Sequence, residues 1–184
     1  MPQPMILPVT KNWNEGERDW SYVKDARRDI ENWEAKVGKT LPDDYRRFML
    51  KFNGGRVYPS LLRHNVASYS SEPTLLEYFY SWDDVMQHAN GEVYFSGTPD
   101  GFLIIGGDPG GLEVLLSCRD EDAGQVFCWY HTTVPWGTED NAAVWPQAGS
   151  FGELMNSLYE DDDETSYQHW YIPICDRLAR PLEF

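Results

Sequence analysis

The chain has 184 residues, 41% of them hydrophobic, which suits one packed domain and excludes a disordered chain. Thirty acidic residues against fifteen basic ones set a formal net charge of −15. A field of that sign repels nucleic acid and anionic membrane and draws in basic proteins, so no direct binding to either polyanion is expected.

Met1 to Val9 hold three prolines and no basic residue, so they lack the charged start and apolar centre of a secretory signal. No run approaches the roughly 20 apolar residues that span a bilayer. Cys118, Cys128 and Cys175 make an odd number of thiols. Reduced cysteines in a cytoplasmic protein are the expectation.

Val23, Ala26, Ile30, Trp33 and Val37 recur at helical spacing and predict a helix over Trp20 to Val37, ended by Gly38. The stretch GKTLPDDYRRFMLKFNGG follows and reads as a second helix with its own start and stop signals. Pro42 suits a first turn, and Asp43 and Asp44 sit where the helix dipole favours carboxylates. Tyr45, Phe48, Met49 and Phe52 form the buried stripe, and Arg46, Arg47 and Lys51 lie toward the negative end. Asn53, Gly54 and Gly55 tolerate positive φ and stop the helix. Two adjacent helices with matching stripes imply a helical hairpin laid on an apolar surface.

Arg56 to Tyr58 and Leu61 to Val66 are short, interrupted by Pro59, and read as edge strands or extended loops. Leu75 to Tyr80 reads as a strand. Ser81 is an N-cap for a helix over Trp82 to Ala89, closed by Asn90-Gly91. Phe102 to Ile105, Leu112 to Cys118 and Gln125 to Tyr130 are β-rich runs joined by short turns, which implies an antiparallel meander. A final helix covers Ser150 to Tyr159, with Ser150 and Glu153 as a capping-box pair and Phe151, Leu154, Met155 and Leu158 as its stripe. The tail from Tyr167 to Phe184 alternates aromatic and basic residues, as an added edge strand, a wrap over the core or a dimer contact would.

Ile30, Glu34, Gly38, Leu41-Pro42, Tyr45-Arg46, Phe48 and Asn53-Gly54-Gly55, in that order, resemble the N-terminal signature of the SUKH superfamily. The resemblance implies a single α+β domain with helices packed on one face of a mostly antiparallel sheet. It also implies no enzymatic activity: the superfamily is known for bacterial immunity proteins of polymorphic toxin systems, with eukaryotic members that are regulatory interaction modules. The expected organisation is an N-terminal extension over 1–19, the SUKH-like domain over 20–164 and a C-terminal extension over 165–184.

No constellation of catalytic residues competes with that expectation. The GGDPGG turn lacks the Lys-Ser/Thr ending of a phosphate loop, and Asp108 would repel phosphate. Asp120 to Gly124 starts like a calcium loop but has Gln125 where the sixth-position glycine belongs and His131 where the last carboxylate belongs. Cys118, Cys128 and His131 match no zinc spacing, so neither metal nor cofactor is expected. The histidines are scattered and no G-x-S-x-G elbow occurs.

The acidic clusters remain: Asp120, Glu121 and Asp122; Glu139 and Asp140; Asp161, Asp162 and Asp163. Each makes a solvated face by default, and each also suits contact with a basic partner, with Trp136 and Trp145 as aromatic anchors. The partner expected is a cognate toxin, and a basic nuclease-type domain fits the charge. The alternative is a regulatory module bound to a housekeeping protein. A homodimer is compatible with the tail.

Overall fold

Tyr45, Phe48, Met49 and Phe52 are all buried in the computed structural model, and the stripe they form on one helix is the centre of the core. The structure describes residues 3–8, 20, 23–66, 73–76, 78–91, 98–130, 143–160 and 179–183. The helices among them are α1 (Arg27–Val37), α2 (Asp43–Phe52), α3 (Trp82–Ala89) and α4 (Phe151–Ser157). Eight strands form one antiparallel sheet, in spatial order β10 (Arg180–Pro181), β1 (Met5–Leu7), β2 (Gly55–Tyr58), β5 (Tyr78–Phe79), β6 (Phe102–Gly107), β7 (Leu112–Ser117), β8 (Val126–Tyr130) and β9 (Trp145–Ala148). β3 (Leu61–Leu62) and β4 (Thr74–Leu75) pair as a separate ribbon. The fold is α+β.

All four helices contribute to one apolar cluster with the same sheet face, through Ile30, Phe48, Trp82 and Leu154 against Val57, Leu103, Val114, Val126 and Cys128. The alternate residues of the meander, Phe102, Ile104, Leu115, Phe127 and Trp129, form a second buried cluster on the opposite face. This explains why β6 and β7 read as continuous apolar runs and not as half-polar strands.

The residues of the helical signature each close a specific joint. Glu34 Oε1 accepts the Leu41 N–H at 2.9 Å and the Arg46 Nε–H at 3.1 Å, locking the link between α1 and α2. Asp44 reaches across to accept the Gly152 N–H at 2.8 Å at the start of α4. Asn53 caps α2 in the left-handed conformation. Its Oδ1 accepts the Trp82 N–H at 2.8 Å, and its Nδ2 donates to the Lys24 carbonyl at 3.0 Å. One side chain therefore ties the approach to α1, the end of α2 and the start of α3. A Cβ on Gly54 would stand 2.7 Å from the Tyr80 carbonyl, so only glycine lets these backbones meet.

Several expectations change. α1 begins at Arg27 and not near Trp20, because Asp25 Oδ1 accepts the Arg27 N–H at 2.9 Å while the Lys24 carbonyl is taken by Asn53. Val37, expected in the buried seam, is 43% exposed. β2 is an interior strand between β1 and β5 and not an edge. The run Leu75 to Tyr80 divides, its start pairing in the ribbon and Tyr78–Phe79 entering the main sheet. β1 and β9 are strands that the sequence pattern did not mark. The capping pair of α4 is shifted by one residue: Ser150 Oγ accepts the Glu153 N–H at 3.1 Å, but Glu153 accepts the Gly149 N–H at 2.7 Å.

Candidate partner-binding surface

The acidic turn between β7 and β8 combines three carboxylates with three different fates. The turn closes through Gly124 N–H to the Ser117 carbonyl at 2.9 Å and Gln125 N–H to the Asp122 carbonyl at 3.0 Å. The Asp122 side chain is only 12% exposed. It accepts from the Ser117 hydroxyl and from the Arg119 guanidinium, whose Nε lies 3.1 Å away. Those donors hold its carboxyl below the usual aspartate range, the Arg119 hydrogen bond being the larger cause. Arg119 itself lies 4.5 Å over the Phe102 ring and 5.6 Å from that of Phe127, capping the end of the second cluster.

Asp120 and Glu121 face outward. The Asp120 side chain is 94% exposed and meets Lys39 Nζ at 2.8 Å, which also donates to the Cys118 carbonyl at 2.6 Å. The hydrogen bond from Lys39 lowers the Asp120 pKa, and the same bond raises that of Lys39. Glu121 is 69% exposed and 3.6 Å from Arg119. The turn thus presents two carboxylates to solvent and keeps the third for its own architecture.

Trp145 opens β9, half-buried against the helix-side core, so part of its indole is already used within the fold. Its Cα partner is Cys128, three residues past Gln125 and roughly 10 Å along the strand from the acidic turn. Trp136, Glu139, Asp140, Asp161, Asp162 and Asp163 lie outside the described residues. Of the expected surface, the structure brings together Asp120, Glu121 and Asp122 and leaves Trp145 on the neighbouring strands.

In the GGDPGG segment Gly106 and Gly107 end β6 and the hairpin turns through Asp108 to Gly111, with Asp108 organising it. Its Oδ1 accepts the N–H groups of Gly110 and Leu112, each at 2.8 Å, and its Oδ2 meets the Thr74 hydroxyl from the ribbon. That role was open to inference, since an aspartate opening a turn commonly takes N–H groups a few residues on. A buried polar group was not anticipated: Glu113 on β7, 2% exposed, accepts from the Tyr80 hydroxyl at 3.3 Å, and the His88 ring lies tilted against that of Tyr80, their centroids 4.6 Å apart. Burial pushes the Cys118 thiol up to about 11 and the Cys128 thiol up to about 12, which suppresses their thiolates at neutral pH. Among the described residues, no cluster of three His, Cys, Asp or Glu side chains is placed to hold a metal ion. No helix among them is long and apolar enough to cross a membrane.

The family model of the SMI1/KNR4 family (SUKH-1) matches residues 26–157. The chain belongs to that family. No curated protein matches it. The SUKH-1 span runs from Ala26, the N-cap of α1, to Ser157, the last residue of α4, and so contains the helix hairpin, the meander and the acidic turn. Strands β1 and β10 lie outside the span and widen the SUKH-1 sheet at one edge.

Proposed function

We propose that this SUKH-1 chain is a non-catalytic immunity protein that binds a cognate polymorphic toxin and neutralises it. A basic, nuclease-type toxin domain is the partner its charge favours. The observation that carries this reading is where the charge lies. Outside Lys24–Arg56, six basic residues face 24 acidic ones. In the turn at Asp120 and Glu121, the carboxylates are exposed and held by a single lysine or arginine each. Carboxylates set where a basic cleft expects phosphates would block the cleft and speed encounter by long-range attraction, about 10–10³-fold at low salt. The candidate contacts are Asp120 and Glu121, in a turn that Asp122 holds from within, extended by Glu139, Asp140, Asp161, Asp162 and Asp163, with Trp136 and Trp145 as anchors.

The test is protection of cells that express the toxin domain encoded beside this chain, joined to association rates measured across ionic strength. Protection together with a rate that falls steeply with salt supports the reading. A rate indifferent to salt removes the electrostatic part. Absence of any neighbouring toxin favours the regulatory-module alternative.

A further inference from the structure

One corner of the molecule runs against its acidity. Lys24–Arg56 holds nine basic residues against six acidic ones in a chain of net charge −15. Where α1 begins and α2 ends, Arg27, Arg28 and Lys51 are exposed, and exposed Arg180 joins them from β10. Lys51 Nζ lies 3.5 Å from the Pro181 carbonyl, so the end of α2 and β10 meet at this corner. Two of these cations, Arg180 and Lys51, lie against aromatic rings. Arg180 lies 4.4 Å over Trp20, Trp20 packs on Phe52 at 5.5 Å, and Lys51 lies 5.0 Å from the Phe52 ring. Among the described residues, none of Arg27, Arg28, Lys51 and Arg180 forms an ion pair with a carboxylate. Among the described residues the nearby carboxylates have other contacts: Asp25 takes the Arg27 backbone N–H, Asp29 and Asp83 face Lys24, and Glu31, one turn along α1, lies 3.9 Å from Arg46. Glu183 is the exposed exception in the same terminal segment.

The placement of Arg27 and Arg28 also opposes folding. They are the first two residues of α1, where the dipole favours carboxylates and disfavours cations. Exposed cations that disfavour their own helix end, and form no ion pair among the described residues, are explained by a ligand better than by the fold.

We propose that this basic, aromatic corner is a second interaction surface, and that it takes an acidic protein segment, aspartate and glutamate interspersed with apolar side chains. Arginine guanidiniums fork to carboxylates, and Trp20, covered by Arg180 and packed on Phe52, is half-buried and so leaves part of its apolar surface exposed beside them. The overall negative charge does not forbid this, because screening limits its reach to about 8 Å at physiological salt. The 11 residues of α1 put about 16 Å between Arg27 and the link beside the acidic turn. A long polyanion would have to run onto that acidic remainder, whereas a short acidic segment need not. Trp20 and Arg180 both lie outside the family span of 26–157, so the surface draws on what this chain adds to its family fold. It does not depend on the toxin reading.

The probe is a short fluorescein-labelled peptide alternating Glu and Asp with Leu and Trp, followed by anisotropy with the full chain at low and physiological salt. Saturable binding that weakens with salt is expected. Arg27→Glu with Arg28→Glu should weaken it about tenfold or more while leaving the fold intact, since carboxylates suit that turn. Lys36→Glu with Arg63→Glu changes net charge equally, away from the corner, and should weaken it no more than about twofold. Asp120→Lys with Glu121→Lys, which disables the toxin surface, should leave the peptide affinity unchanged or tighter. The proposal is overturned by a wild-type chain that does not saturate, or by equal losses in the two arginine and lysine pairs. It is equally overturned by a weaker affinity in the Asp120 and Glu121 variant. A thymidine oligonucleotide of the same length that outcompetes the peptide assigns the corner to phosphate and overturns it too.

Discussion

Asp122 and Asp120 stand two residues apart in one acidic turn, yet the structure gives them opposite work, and that separation is measurable. Replacing Asp122 by alanine removes the acceptor for the Arg119 guanidinium and for the hydroxyl of Ser117, a residue that is 0% exposed. Orphaning a buried hydroxyl and losing a charge-assisted bond costs about 2 kcal/mol, discounted here because Arg119 remains one-third open to water. In a chain of this size that is roughly 4–8 °C of melting temperature. Asp120→Ala, which loses only an exposed contact to Lys39, should not shift the melt measurably. Urea titration of the two variants beside the wild type is the assay, repeated at descending pH. Because Arg119 and Ser117 depress the Asp122 pKa in the folded state, its stabilising contribution is complete above the ordinary aspartate value of about 4. It is lost as the pH falls through the depressed value, so the gap between wild type and Asp122→Ala should close below about pH 4. In partner binding the order reverses, and Asp120→Ala should slow association while the melt stays put. An Asp120→Ala variant as unstable as Asp122→Ala would refute this division of labour.

Two further outcomes follow from the hairpin. Gly38 and Gly54 both have left-handed backbone, but a Cβ on Gly38 meets nothing within 4 Å while one on Gly54 would strike the Tyr80 carbonyl at 2.7 Å. Gly38→Ala should cost about 1 kcal/mol of unfolding free energy and Gly54→Ala about 3 kcal/mol or more, with equal losses contradicting the steric account. Tyr45 is fully buried, and its hydroxyl has no hydrogen-bond partner among the described residues. Burial pushes its pKa upward, so the group stays neutral, and Tyr45→Phe should stabilise the chain by about 1 kcal/mol in the same titration. A loss instead would mean that the hydroxyl has a stabilising partner.

What was legible in the sequence was local. Ser81, Asn53 and Gly38 act on their own helix ends, so their chemistry announces α3, α2 and α1 without help from the rest of the chain. The meander was equally plain, since short turns leave adjacent strands no other pairing. The misread pieces depended on distant partners. Trp20 to Ala26 has helical spacing, but the Asn53 side chain claims the Lys24 carbonyl. Met5–Leu7 is a three-residue strand whose identity comes only from pairing with β2 and β10. The carboxylates of the acidic turn were visible as a cluster, but nothing in their order distinguished Asp122 from Asp120. That distinction required the position of Arg119 over Phe102, a contact between residues that the sequence separates by a whole hairpin.

The edges of the sheet narrow how such a chain can meet a partner. On one side, β9 carries Pro146, which has no N–H to offer, and the Pro146 carbonyl is taken by Asn65 Nδ2 at 2.9 Å. Gln147 is engaged as well, donating to the Arg63 carbonyl at 2.9 Å and accepting the Asn65 N–H at 3.3 Å. On the other side, β10 is two residues long and one of them is Pro181. Among the described residues, neither edge offers the run of free donors and acceptors that strand addition needs. These two edges therefore favour recognition of a partner through side chains. Two charged surfaces of opposite sign, one on the β7–β8 turn and one where α1, α2 and β10 converge, then become the natural places to look. Recognition through them predicts affinities that respond to salt and to charge reversal, and not to substitutions that spare the charges along β9.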